Sequence, residues 1–210
     1  MECKSSCGID EIRSKVIKYV APYISVPLSH IFNLTFATGK IPNDLKVALI
    51  TPVYKASEKN VFSNYRPISV LPFFSKILVK LMYKRLIDYI NKNGILSDRQ
   101  YGFRSKHSTD NAIIELVDKK TKAIENNELT VGIFLYLSKA FDTVNHNILL
   151  KKLYFYGIRG KCHAWIKDYL CNRKQVVKYN NIRSTEKNNY LWGTTRIYSW
   201  TITIFVGAVP

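Results

Sequence analysis

Acidic residues are scarce in this chain. Its 210 residues carry 15 Asp and Glu against 32 Lys and Arg, a formal net charge of +17. An excess of that size favours a polyanionic partner, nucleic acid first and an anionic membrane surface second. Long apolar runs are missing too. No stretch reaches the eighteen apolar residues that a membrane-spanning helix needs, and the opening MECKSSCGIDEIRSK has no apolar signal region. The expectation is a protein of the cytoplasm or nucleus that does not sit in a membrane. Cysteine is sparse. Cys3, Cys7, Cys162 and Cys171, spaced C-x3-C and C-x8-C, lack the close Cys or His partners of a zinc site. His163 beside Cys162 is the one adjacent donor, and the four read as reduced structural thiols. There is no G-x-x-x-x-G-K-[ST] phosphate loop, and His30, His146 and His163 form no constellation with a Ser or Cys nucleophile. His107, in SKHST, reads as a capping or backbone contact. No internal repeat or low-complexity linker is present.

What is present is the composition of a folded protein. Hydrophobic residues make up 47% and aromatic residues 13%, far above a disordered chain. The aromatics (14 Tyr, 10 Phe, 3 Trp) can serve as stacking surfaces for bases, although most belong to a core.

Periodicity orders the elements. Ile9, Ile12, Val16 and Val20 predict a helix over 9–20, stopped by Pro22. A second helix is expected over 26–38, ended by Gly39. The β-branched stretch 45–55 reads as a strand and 56–72 as a loop. A long amphipathic helix follows over 73–92, ended by Gly94, then an irregular link over 95–109. Thr109 is the expected cap of a helix over 110–127. A buried strand is expected at 131–137, helices at 146–156 and 160–171, and a basic strand at 172–184.

The segment GIFLYLSKAFDTVNH, 132–146, reads as a buried strand running into a turn and then a helix. Together with NYRPISVLPFFSKILVKLMYKRL (64–86), QYGFRSKHST (100–109) and its own continuation to Gly160, it resembles one family in order and spacing. That family is the reverse transcriptase of non-LTR, jockey-like retrotransposons, and the resemblance covers about residues 8–185. It implies an α+β fold, the right-hand polymerase fold, with fingers and a partial palm but no thumb. The implied divisions are a helical N-terminal extension at 1–44, fingers at 45–130, a partial palm at 131–189 and a tail at 190–210.

The family's chemistry is nucleotidyl transfer onto a primer 3′-hydroxyl, with two divalent ions about 3.5–4 Å apart. Mg²⁺ in intact members needs carboxylate ligands. The family block reads F-L-D-L-S-K-A-F-D, whereas here Phe134, Leu135 and Tyr136 open it, so Tyr136 occupies the position of a metal-binding Asp. A neutral phenol with a pKa near 10 is a poor Mg²⁺ ligand. Asp142 lies six residues on, past the turn, and reads as a cap; Asn145 stands where relatives carry Asp. After Asp168 the one acidic residue is Glu186, so the family's later Asp pair is not found. No catalytic carboxylate is intact, and no productively bound metal is expected. Phe141 matches the aromatic that packs on the sugar of the incoming nucleotide, or is a core Phe. Arg66 and Arg104 match fingers positions near nucleotide phosphates or template, or form structural ion pairs. Lys55, Lys106, Arg173 and Lys174 are candidates for nucleic-acid backbone, or are simply solvated. The implied partners are an RNA template and an RNA–DNA hybrid. The expectation is therefore an RNA-directed DNA polymerase by descent in an inactive, truncated copy, the alternative being a non-catalytic basic nucleic-acid-binding fragment.

The tail from about 190 holds no acidic residue. With suitable synonymous codons, WGTTRIYSWTITIF (192–205) read one base out of frame becomes GVPQGSILGPLLF, like the segment with which relatives continue. An out-of-frame translation of a palm segment is the expectation for the tail.

Overall fold

The computed structural model describes residues 7–135, 144–180 and 182–188. Helix α1 spans Ser14–Thr38 as one element, with Pro22 and Pro27 inside it. This corrects the expectation of two helices parted at Pro22. Each proline removes one helical N–H and crowds the carbonyl four residues back, a cost of about 3 kcal/mol in isolation. Both prolines are exposed, so water reaches the carbonyls they free. The opposite stripe, with Ile17, Phe32 and Thr35, is buried and offsets the cost. Gly39 ends α1 at φ 69°, its N–H donating to Thr35 O at 2.9 Å. A Cβ there would stand 3.1 Å from the Ala164 Cβ, so glycine also permits the close approach of the next helix layer.

Strand β1 (Val47–Tyr54) pairs antiparallel with β2 (Tyr65–Val70), which occupies the stretch expected to be loop. Pro67 hides β2 in the sequence. In the structure Pro67 faces Pro52 across an edge pair, a position that calls on neither missing N–H. Helix α2 (Phe73–Lys92) buries Leu78, Val79, Met82, Leu86 and Ile90. Gly94 N–H donates to Asn91 O and Ile95 N–H to Ile90 O, the paired bonds of a Schellman ending. Helix α3 (Thr109–Glu125) is capped by Ser108, whose Oγ accepts from the Asn111 N–H; Thr109 is its first residue rather than its cap. None of its residues is buried.

Residues 131–135 form no strand and lie exposed, Phe134 at 84% and Leu135 at 86%. A strand must pass its backbone groups to a neighbour, and no described strand lies alongside. The expected strand over 131–137 is thus not formed in its described part, while 136 and 137 lie outside the described residues. Helices α4 (His146–Phe155) and α5 (Gly160–Leu170) follow as expected, α4 capped by Asn145 Oδ1 accepting from the N–H groups of Asn147 and Ile148.

The basic stretch near the end of the described residues supplies β3 (Lys174–Tyr179), β4 (Ile182–Arg183) and β5 (Lys187–Asn188). Strand β3 runs parallel to β1, Leu49 opposite Val176, giving the order β2-β1-β3-β4 with β5 also on β3. The main core joins α1, α2, α4 and α5 to the sheet face carrying Ala48. At its centre Trp165 stacks on Tyr169 at 5.3 Å and its Nε1 donates to Thr35 Oγ1 at 3.4 Å. The other sheet face carries a small second cluster of Val47, Leu49 and Val176, covered by Ile9. The described residues thus form a mixed α+β unit with helices on one sheet face and the second face partly open.

Candidate nucleic-acid interface

Strand alternation assigns the side chains of that second face. Residues in register across a sheet point the same way, and so do residues two apart along a strand. Val53 pairs with Arg66, Leu49 with Val70 and Val176, and Lys178 with Arg183. Arg66, Lys178 and Arg183 therefore share the face of Leu49, Thr51 and Val53. An open cleft of about 840 Å³ lies along it, lined by Leu49, Thr51, Val70, Lys178, Arg183 and, from the N-terminal segment, Arg13. Glu11 is its one acid and is ion-paired with Arg183. Arg66 is exposed and makes no ion pair among the described residues. Ile68, 48% exposed, lies between Arg66 and Val70 on the same face. The result is a concave, partly apolar surface bordered by four cations.

Of the residues singled out in the sequence, this face gathers Arg66 and, at its other end, Lys174. Lys174 Nζ lies 2.9 Å from Glu186 Oε2, and that hydrogen bond and charge raise its ammonium above the ordinary value. Lys55 is exposed just past β1, its N–H donating to Asn64 O at 2.8 Å. Arg104 and Lys106 lie elsewhere, on the loop that lines a cleft beside the C-terminal half of α2. Arg104 Nη1 donates to Ser97 O at 2.8 Å and Nη2 is 3.5 Å from the Asp98 carboxylate, the contacts of a structural clasp. Lys106 is exposed. His107 makes a backbone contact, Nδ1 lying 3.2 Å from Ser105 O. Arg173 is corrected. It is 3% exposed, its guanidinium 4.7 Å from the Tyr169 ring and its Nη1 donating to Tyr169 O at 3.4 Å, so a polyanion does not reach it. Tyr136, Phe141 and Asp142 lie outside the described residues.

Lys178, Arg183 and Arg13 were missed. Alternation within Lys174-Gln175-Val176-Val177-Lys178 groups Lys178 with Lys174, but only the register with β1 shows which face is open.

The described carboxylates that follow residue 143 are both engaged. Asp168 Oδ2 is 2.7 Å from Lys46 Nζ and accepts the Ile41 N–H at 2.8 Å. Burial pushes the Asp168 carboxyl up. The Lys46 hydrogen bond, the Ile41 N–H and the charges of Lys46 and Lys40 outweigh it and hold the group below its ordinary value. Glu186 is paired with Lys174. Among the described residues no three His, Cys, Asp or Glu converge on a cation-sized space. Cys162 and His163 have separate partners. Cys162 Sγ is 4.0 Å from Met82 Sδ, and His163 Nε2 is 3.0 Å from Leu150 O. Burial pushes the Cys162 thiol up, partly countered by the charge of Arg85. Cys7, Cys162 and Cys171 are in no disulfide. No described helix is long and apolar enough to cross a membrane.

A basic sheet face beside a helical core is compatible with many nucleic-acid proteins, and comparison with known families narrows the class. The family model described as reverse transcriptase (RNA-dependent DNA polymerase) matches residues 54–202. The chain belongs to the reverse transcriptase family. Among curated proteins it is 32% identical over 188 residues to the RNA-directed DNA polymerase from mobile element jockey of Drosophila melanogaster, covering 88% of this chain and 20% of that protein. It is 31% identical over 185 residues to the "Probable RNA-directed DNA polymerase from transposon BS" of the same species, covering 85% of this chain and 20% of that one. These are polymerases of non-LTR retrotransposons, and the chain spans about a fifth of their length. Reverse transcriptase descent, read from three sequence blocks, is thus established, and with it a polymerase-like α+β fold.

Proposed function

We propose that this chain is a retrotransposon reverse transcriptase by descent that has lost catalysis and keeps a basic face for nucleic acid. The loss rests on Tyr136, a phenol at the position where the resembling block has its metal-binding Asp. A first-shell charge is gone there, and loss of an outer-shell partner alone costs about 10–100-fold in metal affinity or activity. The right-hand assignment of 45–130 to fingers and 131–189 to part of a palm belongs to the same reading. In it the two regions are not separate packing units, since β3 pairs with β1 and α4 and α5 share a core with α2. Phe141 keeps the aromatic position of the nucleotide's sugar. The partner read for the sheet face is an RNA template or RNA–DNA hybrid, held through its phosphates.

That face supports a quantitative expectation. Each phosphate neutralised contributes about 0.7 to the slope of log affinity against log salt for a single strand. With Arg183 neutralised by Glu11, the three cations unpaired among the described residues, Arg13, Arg66 and Lys178, give a slope of about −2.1, and binding weakens about 20-fold from about 50 to about 200 mM salt. A titration of labelled RNA by fluorescence anisotropy measures it. The Arg66→Glu/Lys178→Glu variant should lose about 1.4 of the slope. Binding that ignores salt, or a variant with the full slope, would mean that the face does not hold the strand.

The tail is read as an out-of-frame palm segment. The family match runs past residue 190 to 202 in the frame as written, which an in-frame tail gives directly and an out-of-frame tail does not. The nucleotide sequence separates the two. A one-base shift near the Trp192 codon should restore GVPQGS, whereas an open frame encoding the tail as written removes that part of the proposal.

A further inference from the structure

A second basic surface lies on the helical side of the sheet, away from Arg66 and Lys178. Helices α4 and α5 flank a groove of about 770 Å³, lined by Lys151, Tyr154 and Phe155 from α4 and by His163 and Lys167 from α5. Spacings of three and four bring these residues onto one stripe of each helix. Phe155 is 81% exposed and Tyr154 50% exposed, although both helices bury their other face in the main core. The Tyr154 ring is fixed. The Arg159 guanidinium lies 4.8 Å from its centre and the His163 ring meets it edge-on at 6.0 Å. From 144 to 167 the chain has five cations, Lys151, Lys152, Arg159, Lys161 and Lys167, and no acid. Asp168, the next acid, turns inward to Lys46 and the Ile41 N–H. None of the five cations makes an ion pair among the described residues.

We infer that this groove is a separate binding site for single-stranded nucleic acid, with Lys151 and Lys167 on phosphates and a base stacked on Phe155. The charge favours a polyanion. Exposed rings beside lysines are the combination that holds unpaired bases without sequence preference. The inference does not depend on the sheet face. With both sites occupied, one strand could pass from the sheet to the helices, or two strands could be held at once.

The test uses the full chain and a fluorescein-labelled uridine oligonucleotide of about twelve residues. Lys151→Glu/Lys167→Glu should lower the salt slope by about 1.4. Phe155→Ala should weaken binding about tenfold and leave the slope unchanged. A 5-iodouridine oligonucleotide should photocrosslink to Phe155 or Tyr154 in the unaltered chain, a readout free of any folding defect in a variant. Wild-type binding by both variants with no crosslink in α4 overturns the inference. So does loss confined to Arg66→Glu/Lys178→Glu, an outcome that leaves the sheet reading standing. Loss confined to the groove variants supports the groove and removes the sheet face instead. Groove-dependent binding to phosphatidylserine vesicles, without groove-dependent oligonucleotide binding, overturns it in favour of a membrane surface.

Discussion

Asp168→Ala is expected to lower the unfolding free energy by about 3–5 kcal/mol, the usual result of removing one partner from a buried ion pair. Lys46 is the reason. Its side chain is 3% exposed, and Asp168 Oδ2 at 2.7 Å is its charge partner. Without the carboxylate an ammonium stays buried with no counter-ion, and the Ile41 N–H loses its acceptor. For a chain of this size the loss corresponds to a fall in Tm of about 6–20 °C. A double replacement, Lys46→Met with Asp168→Leu, should regain most of it, because a well-packed apolar pair often matches a buried ion pair. Thermal melts of the three proteins measure both effects. An Asp168→Ala melt within about 1 °C of wild type would show that the pair contributes little.

The same pair fixes a pH dependence. The folded carboxyl of Asp168 is held below its ordinary value, so the folded state binds its proton less readily than the unfolded chain. Its stabilisation is complete above the unfolded value, about 3.9, and is lost as pH falls through the lower folded value. Acid unfolding of the wild type should therefore include a component below about pH 4 that Asp168→Asn lacks.

Much of the helical part was legible because burial follows period. The stripes of α2, α4 and α5 and the stop at Gly94 lie where the sequence puts them to within a residue or two. What failed had nonlocal causes. Pro22 is a breaker on paper, yet α1 continues because its opposite side is buried against α5, where Phe36 meets Trp165 at 5.7 Å. Pro67 made an edge strand look like a loop. The stretch 131–135 has strand composition but no described neighbour to pair with. The site divides in the same way. Arg66 came from a motif, while Lys178 and Arg183 needed a register set by β1, far away in sequence. Arg173 sits in a basic run that reads as solvated, but the Tyr169 ring four residues earlier takes it in. The Lys46–Asp168 pair joins residues 122 apart, beyond any local pattern.

Catalysis is where the largest effect is expected. In the two-ion mechanism the metal clamp stabilises both the attacking and the leaving oxygen, and the ions are held by carboxylates. On the proposed reading Tyr136 stands at the position of the first carboxylate, and beyond residue 142 the 210 residues hold only Asp168 and Glu186. Both are committed to lysines, so neither can take over without breaking a structural pair. Tyr136→Asp alone should therefore restore nothing measurable, since it returns one carboxylate of the set.

The direct measurement is primer extension on an RNA template by the purified 210-residue chain, with Mg²⁺ and separately with Mn²⁺. Salt-sensitive binding of the template with no added nucleotide in either metal is the predicted result. Sustained incorporation of deoxynucleotides by this chain, with Tyr136 in place, would contradict the assignment of that position and the loss of catalysis built on it.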